Sequence, residues 1–165
     1  MYDQLTQNDI QKMQEEIEHR KAVVRKELLE HVKEARAHGD LSENFEYKAA
    51  KREKNQNESR IRYLEKMIKT AHVITDHSGD DEVGLNKKVD LYFEDDDETE
   101  TMKIVTTVRE NSLEGLISNV SPLGKALLGH KVGDRVYVKV NDRIGYFVVI
   151  KGIRPDDADE ALREY

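Results

Sequence analysis

The first 38 residues constrain the fold most, because their apolar side chains recur at the spacing of one helix face. Between Asn8 and His38 these side chains are separated by 3, 4, 7, 4, 4 and 3 residues, a pattern with heptad character. The positions are Ile10, Met13, Ile17, Val24, Leu28, Val32 and Ala35. Gly39 follows as a residue able to take the left-handed conformation that ends a helix, with Arg36 in the last turn. The sequence therefore predicts one long helix that stops at Gly39.

A second polar helix is predicted from about Ser42 to Ala71, with a very short loop before it. Its inner face would carry Ala50, Ile61, Leu64, Ile68 and Ala71. Two helices joined by so short a loop run antiparallel and pack side by side. About 28 helical residues extend roughly 40 Å, which carries the tip at residues 39–43 far from a globular body. Residues 51–60 contain no apolar side chain, so Val23, Val24 and Leu28 are expected to pack there on aliphatic stems.

Composition limits the class of protein. The chain has 165 residues, of which 37% are apolar and 37% charged, as expected for one or two small domains rich in exposed helix. It has no cysteine, and its six histidines lack the paired spacing of a zinc site. The sequence has neither an apolar run long enough to span a membrane nor a secretory leader, so no membrane association and a cytoplasmic location are expected. A net charge of −7 argues against non-specific coating of nucleic acid.

The helical period ends after Thr75, and the pattern changes to that of strands. Residues 1–75 are expected to form the hairpin domain, residues 76–86 an acidic, glycine-containing linker, and residues 87–165 a second domain with an acidic tail. Predicted strands lie near residues 89–93, 102–108, 116–118, 135–140 and 146–153, forming one antiparallel sheet, with the acidic run 94–98 as a turn. Ser121, Pro122 and Gly129 predict a short capped helix between two of them. The predicted fold class is α+β.

The bend of the hairpin carries two carboxylates, Asp40 and Glu43. An isolated Asp-x-x-Glu at a helix start is most simply a capping box, in which both side chains bond to backbone N–H groups. The alternative is a functional pair that points outward. Two carboxylates alone cannot hold Mg²⁺, which requires six oxygen ligands, so a partner would have to complete such a metal site.

Two stretches carry a resemblance to a known family. Residues 38–50 read His-Gly-Asp-Leu-Ser-Glu-Asn-Phe-Glu-Tyr-Lys-Ala-Ala and closely resemble the tip signature of the Gre-type bacterial transcript cleavage and elongation factors, the GreA/GreB family. Residues 117–134, from Ile-Ser-Asn-Val-Ser-Pro-Leu-Gly to Val-Gly-Asp, resemble that family's C-terminal signature. The similarity extends to about Ile153 and leaves the acidic tail unmatched. It implies an antiparallel coiled-coil hairpin followed by a domain that resembles the FK506-binding protein fold.

The resemblance also implies a mechanism. Gre-type factors insert the hairpin through the secondary channel of bacterial RNA polymerase, where the tip acids help to hold a second Mg²⁺. By matching position, Asp40 and Glu43 would be the catalytic and metal-binding residues, with Ser42 and Asn44 as supporting tip residues. The polymerase remains the enzyme, and the nascent RNA 3′ end is the substrate that is cut. The chain alone is expected to be a monomer with no tightly bound cofactor, sharing Mg²⁺ with the polymerase only during cleavage.

Four cations flank the tip, and two interpretations of them remain open. Arg36, Lys48, Lys51 and Arg52 are candidates to contact the RNA 3′ segment. They could equally form an ordinary solvated helix face. Lys48 and Arg52 are like charges four residues apart, which slightly favours a ligand.

Some positions depart from the family pattern and keep other functions in view. Residues 54–61 lack an aromatic residue and two glycines that are common there, and Phe45 replaces a small residue beside the tip. These changes suggest a divergent paralogue, and they leave open a channel-binding regulator that does not promote cleavage, although both tip acids argue against it. A prolyl isomerase or chaperone is suggested only by the fold of the second domain, which has no tryptophan for a ligand pocket.

Overall fold

The computed structural model describes residues 3–39 and 44–164. The chain divides into two compact units. The first is formed mainly by Asn8–His72, and the second by Gln4–Gln7 together with the chain from Val73 onward. Residues 76–86, predicted as a linker, contribute to the second unit instead, because Val83 and Leu85 are buried in its core.

The first unit contains the predicted long helices. Helix α1 spans Gln7–His19, a π-helical segment spans Arg20–Val24, and α2 spans Arg25–Arg36, so that the helical conformation continues from residue 7 to residue 36. Helix α3 spans Phe45–Thr70. All seven positions of the predicted first seam are buried or half-buried, as are the five of the second.

The π-helical segment was not predicted from the sequence. The Arg25 N–H donates to the Arg20 carbonyl, five residues earlier, which widens this turn. The Asn57 side-chain amide of α3 donates to the same carbonyl at 3.4 Å. A side chain that inserts into the backbone ladder of a helix is a known cause of such a local irregularity.

The second unit is built on a five-stranded sheet. Strands β1 (Gln4–Leu5) and β2 (His72–Val73) form a separate two-stranded ladder. The large sheet consists of β3 (Lys87–Phe93), β4 (Glu98–Val105), β5 (Leu116–Ser118), β6 (Arg135–Lys139) and β7 (Gly145–Pro155), in the order β5-β4-β3-β7-β6. Together with the helices, this sheet confirms the predicted α+β class.

The sheet differs from the prediction in two respects. It is mixed and not wholly antiparallel, because β4 and β5 run parallel. The predicted strand at residues 102–108 instead begins at Glu98 and ends at Val105, and a 3-10 turn follows at Thr107–Arg109. Through this turn and a second 3-10 segment, Ser112–Glu114, the chain turns back past the end of β4 until Leu116 lies beside Lys103. It then turns again, and β5 runs parallel to the edge of β4. The predicted turn after Phe93 is confirmed as the β3–β4 hairpin.

One apolar cluster forms the core of this unit. Ten buried side chains compose it: Val83, Leu85, Val89, Leu91, Ile104, Leu127, Val136, Val138, Val148 and Ile150. Helix α4 (Pro122–Leu127) supplies Leu127 and begins as predicted, with the Ser121 hydroxyl accepting from the Gly124 N–H at 3.1 Å. Gly124 is required there because a Cβ atom would lie 2.1 Å from the Ser118 carbonyl oxygen.

Candidate functional site at the hairpin end

The end of the hairpin is defined by the last turn of α2 and the first turn of α3. Asp40, Ser42 and Glu43 lie outside the described residues, so their predicted roles remain predictions. The described residues on either side are His38 and Gly39, which follow α2, and Asn44, which precedes α3. These residues fix where the tip segment leaves and re-enters the hairpin.

Asn44 ties the two helix ends together. Its side-chain oxygen accepts from the Tyr47 N–H at 3.0 Å, and its side-chain amide donates to the Ala35 carbonyl of α2 at 2.6 Å. Helix α3 therefore begins at Phe45 after an Asn cap, three residues later than the predicted start near Ser42. The alternative of an Asp40–Glu43 capping box concerns residues outside the described ranges and stays open. Asn44, predicted as a supporting tip residue, holds the two ends of the tip segment in fixed register.

Small side chains allow the helices to approach closely below the tip. Ala35 of α2 and Ala50 of α3 are both buried, although most residues around them are exposed. Close approach is possible because neither side chain extends past its Cβ atom. Ala35 thus takes part both in the hydrogen bond with Asn44 and in the buried seam between the helices.

The four predicted RNA-contacting cations are all exposed. Arg36, Lys48, Lys51 and Arg52 lie on the last turn of α2 and the first two turns of α3. The Arg36 guanidinium lies 5.7 Å from the centre of the Tyr47 ring. Such a cation–π contact orients the guanidinium without neutralising its charge.

Phe45 begins α3 with its side chain 78% exposed. The Lys48 ammonium lies 5.6 Å from the centre of its ring. A large exposed aromatic ring beside cations is a surface suited to stacking on a base or packing against a partner protein. The sequence identified Phe45 only as a departure from the family pattern.

Polar contacts replace apolar packing in the middle of the hairpin. They form a network of Glu16, Arg20, Asn57 and Arg60, which was not predicted. Arg60, 5% exposed, donates through Nε to Glu16 at 2.8 Å, and Arg20 donates to the same carboxylate at 2.7 Å. Arg20 also donates to the Asn57 side-chain oxygen at 2.9 Å. The absence of apolar residues at 51–60 was the signal that could have indicated it. The prediction that Val23 packs into this seam is wrong, because its side chain is 41% exposed.

The charges of this network affect the titration of Glu16. Burial by itself raises the pKa of Glu16, but the hydrogen bonds and charges of Arg60 and Arg20 together lower it below its usual value. Two further ion pairs join the same helices: Arg25 to Glu58 at 2.7 Å and Lys21 to Glu65 at 2.6 Å. From one pair to the other the residue number rises from 21 to 25 in the first helix and falls from 65 to 58 in α3, which confirms the antiparallel arrangement.

No group of three or more acidic or histidine side chains suited to hold a metal ion occurs within residues 3–39 and 44–164. Over the same ranges, no helix has the length and apolar character needed to cross a bilayer. The exposed cations, the capped hairpin end and the charged seam together are typical of a protein that acts by contact with another macromolecule.

Comparison with known proteins agrees with this class. Residues 3–73 match the family described as "Transcription elongation factor, N-terminal", and residues 78–155 match "Transcription elongation factor, GreA/GreB, C-term". The chain is 46% identical over 136 residues to transcription elongation factor GreA of Geobacillus kaustophilus, covering 82% of this chain and 86% of the relative. It is 45% identical over 135 residues to the GreA of Bacillus velezensis, with the same two coverages. This chain belongs to the GreA/GreB family of transcription elongation factors.

Among solved structures, that of the transcription factor Gfh1 aligns with a TM-score of 0.45 and 27% identity. The alignment covers 93% of this chain and 97% of the Gfh1 chain. Residues 156–164, the acidic tail, lie beyond the C-terminal family match.

Proposed function

We propose that this elongation factor enters the secondary channel of bacterial RNA polymerase, tip first, and stimulates the polymerase to cut backtracked nascent RNA. The observation that carries the proposal is the retention of Asp40 and Glu43 between two helices whose ends Asn44 holds in register. Membership of a family of transcription elongation factors supports it.

The donor set at the tip fits a shared metal site but not an independent one. Carboxylate oxygens are ligands that Mg²⁺ prefers, but two carboxylates provide too few of the six that it needs. When bound between the polymerase and the tip, a second Mg²⁺ would supply charge stabilisation for the displacement at phosphorus. Asp40 and Glu43 would hold it and orient the attacking water, and a positioned carboxylate can take the proton of that water. The factor would thus complete a site whose remaining ligands belong to the polymerase, and it would not be a complete catalyst alone.

The exposed cations beside the tip give the proposed RNA contact. The RNA 3′ segment that emerges in a backtracked complex is a polyanion, and cations within a few ångströms position its phosphates. Arg36 and Lys48 have the most defined positions, because each contacts an aromatic ring, Tyr47 and Phe45 respectively. The protein is proposed to act in the cytoplasm, as a monomer.

RNA cleavage in a stalled polymerase complex tests the proposal. With Mg²⁺ and the factor, the RNA should shorten from its 3′ side, and Asp40→Asn or Glu43→Gln should abolish the stimulation while binding to the polymerase persists. Glu46→Gln is the matched control, because Glu46 is an exposed carboxylate on the first turn of α3. Undiminished cleavage with both tip variants would disprove the mechanism. A wild-type protein that binds and does not stimulate would identify a regulator without cleavage activity.

A second measurement addresses the RNA contacts. We expect Lys48→Gln and Arg52→Gln to raise the factor concentration needed for half-maximal cleavage several-fold, and to reduce its dependence on salt. Arg62→Gln is the control, because Arg62 is an exposed cation further along the same helix. Equal effects of all three substitutions would indicate a general charge effect and exclude a local contact.

A further inference from the structure

Two cations of the second unit are buried. Lys103 of β4 is 3% exposed and Arg109, in the turn after β4, is 5% exposed. The neighbour of Lys103 on the strand, Ile104, belongs to the apolar core, so Lys103 lies on the opposite face of the sheet. Buried lysine and arginine side chains occur almost only where anionic partners compensate the loss of water.

The partners of Lys103 come from the C-terminal tail, residues 156–164. The Lys103 ammonium lies 3.2 Å from an Asp156 carboxylate oxygen and 2.6 Å from one of Glu160. It also donates to the Ala158 carbonyl at 2.9 Å. The hydrogen bond from Lys103 lowers the pKa of Asp156 below its usual value. One ammonium therefore holds two carboxylates and a peptide carbonyl of the same segment.

Arg109 holds the tail in the same way. Its guanidinium donates to an Asp159 carboxylate oxygen at 3.0 Å and to the backbone carbonyl of Glu160. A main-chain bond continues the contact, because the Arg163 N–H donates to the Val108 carbonyl at 2.6 Å. Carboxylates and main-chain groups are thus bound together along eight residues, from Asp156 to Arg163.

We propose that Lys103 and Arg109 form a binding site for an acidic peptide segment, which the tail of this chain occupies in cis and from which an acidic segment of a partner protein can displace it. The contacts favour a peptide over a nucleic acid, because the Val108 carbonyl accepts from a main-chain N–H of the tail while the two cations bind its oxygens. A phosphodiester backbone has no N–H group to donate to that carbonyl.

The tail has the properties of an exchangeable ligand. Residues 156–164 form no helix or strand, and none of them belongs to the apolar core of the unit. The tail is held by charged and polar contacts at a surface where Asp159 remains 44% exposed. A short tether gives it an effective concentration on the order of millimolar, so a partner must bind strongly or act when the tail is released.

Peptide binding to the full-length chain tests the inference. The probe is a fluorescein-labelled synthetic peptide with the sequence of residues 155–164, measured by fluorescence anisotropy. The receptor is the variant Asp156→Asn, Asp159→Asn, Glu160→Gln, whose own tail carries amides of the same size in place of the three carboxylates. We expect this variant to bind the peptide about tenfold or more tightly than the wild-type chain, whose site is occupied.

Three controls decide the assignment. Adding Lys103→Met or Arg109→Gln to the receptor variant should reduce peptide binding about tenfold, whereas Lys139→Met, at an exposed lysine of β6, should not. A peptide with asparagine and glutamine at the three acidic positions should not bind the same receptor, and this control needs no further substitution in the chain. Failure of the receptor variant to bind the acidic peptide would overturn the proposal, as would more efficient competition by single-stranded RNA of equal charge than by unlabelled peptide. Neither result bears on RNA cleavage, because the tip is not involved.

Discussion

The two units of this protein are stabilised by different means. The sheet unit has a continuous core of ten buried apolar side chains. The hairpin unit is joined at mid-length by Glu16, Arg20, Asn57 and Arg60 and by surface ion pairs. Apolar burial is non-directional, whereas charged hydrogen bonds demand defined geometry and respond to pH. The sheet unit is therefore held by its apolar core, whereas the middle of the hairpin is held by polar contacts that define the register of the two helices.

The largest expected effect lies in the sheet core. Leu91→Ala removes a fully buried side chain from the centre of β3 and should lower the free energy of unfolding by about 2–4 kcal/mol. Leu113→Ala is the control, because that side chain is 98% exposed and should change stability by less than about 0.5 kcal/mol. Urea unfolding measures both. Similar losses for the two variants would contradict the assignment of the core.

Disruption of the hairpin network should have a smaller but clear effect. Arg60→Gln removes two hydrogen bonds to Glu16 and should destabilise the helices by about 1–3 kcal/mol. Arg62→Gln, at an exposed arginine two residues along, should have little effect. A double-mutant cycle with Glu16→Gln, followed by circular dichroism at 222 nm, separates the pair interaction from other losses. An interaction energy near zero would show that the network does not stabilise the hairpin.

Loss of the cap below the tip should cost less. Asn44→Ala removes the bond to the Tyr47 N–H and the bond to Ala35, and should lower the stability of the hairpin by about 1 kcal/mol. Asn55→Ala replaces an exposed asparagine within the same helix and is the matched control. Thermal unfolding measures both changes. An Asn44 effect no larger than that of Asn55 would refute the role of Asn44 in joining the helix ends.

The smallest effect concerns pH. Because the pKa of Glu16 is lowered in the folded state, its contribution to stability is present above the unfolded value near 4.5 and is lost as the pH falls through the folded value. The hairpin of the wild-type chain should therefore lose more thermal stability between pH 7 and pH 3 than that of Glu16→Gln. Glu18→Gln, at an exposed position, should behave like the wild type. Equal losses in all three proteins would contradict the pKa shift.

Sequence periodicity predicted the elements better than it predicted their contacts. The seam from Ile10 to Ala35 and the cap at Ser121 were correct because they depend on local spacing and local hydrogen bonds. The parallel pairing of β5 was missed because two 3-10 turns reverse the chain there, and neither has a periodic signal. The exposed positions of Arg36, Lys48, Lys51 and Arg52 were expected from their charge, whereas the contact between Arg36 and Tyr47 joins two helices and has no signature in either.

The sequence by itself determined the two long helices, the five strands of the large sheet apart from the bounds of β4, the carboxylates carried at the bend and the family, because each of these depends on local order along the chain. Only the tertiary structure decided that Asn44 caps the second helix while bonding to the first, that Asn57 and Arg60 meet Glu16 and Arg20, and that the tail is bound by Lys103 and Arg109. Each of these contacts joins residues that are distant in sequence, and polar side chains reveal their partners only when folding removes them from water.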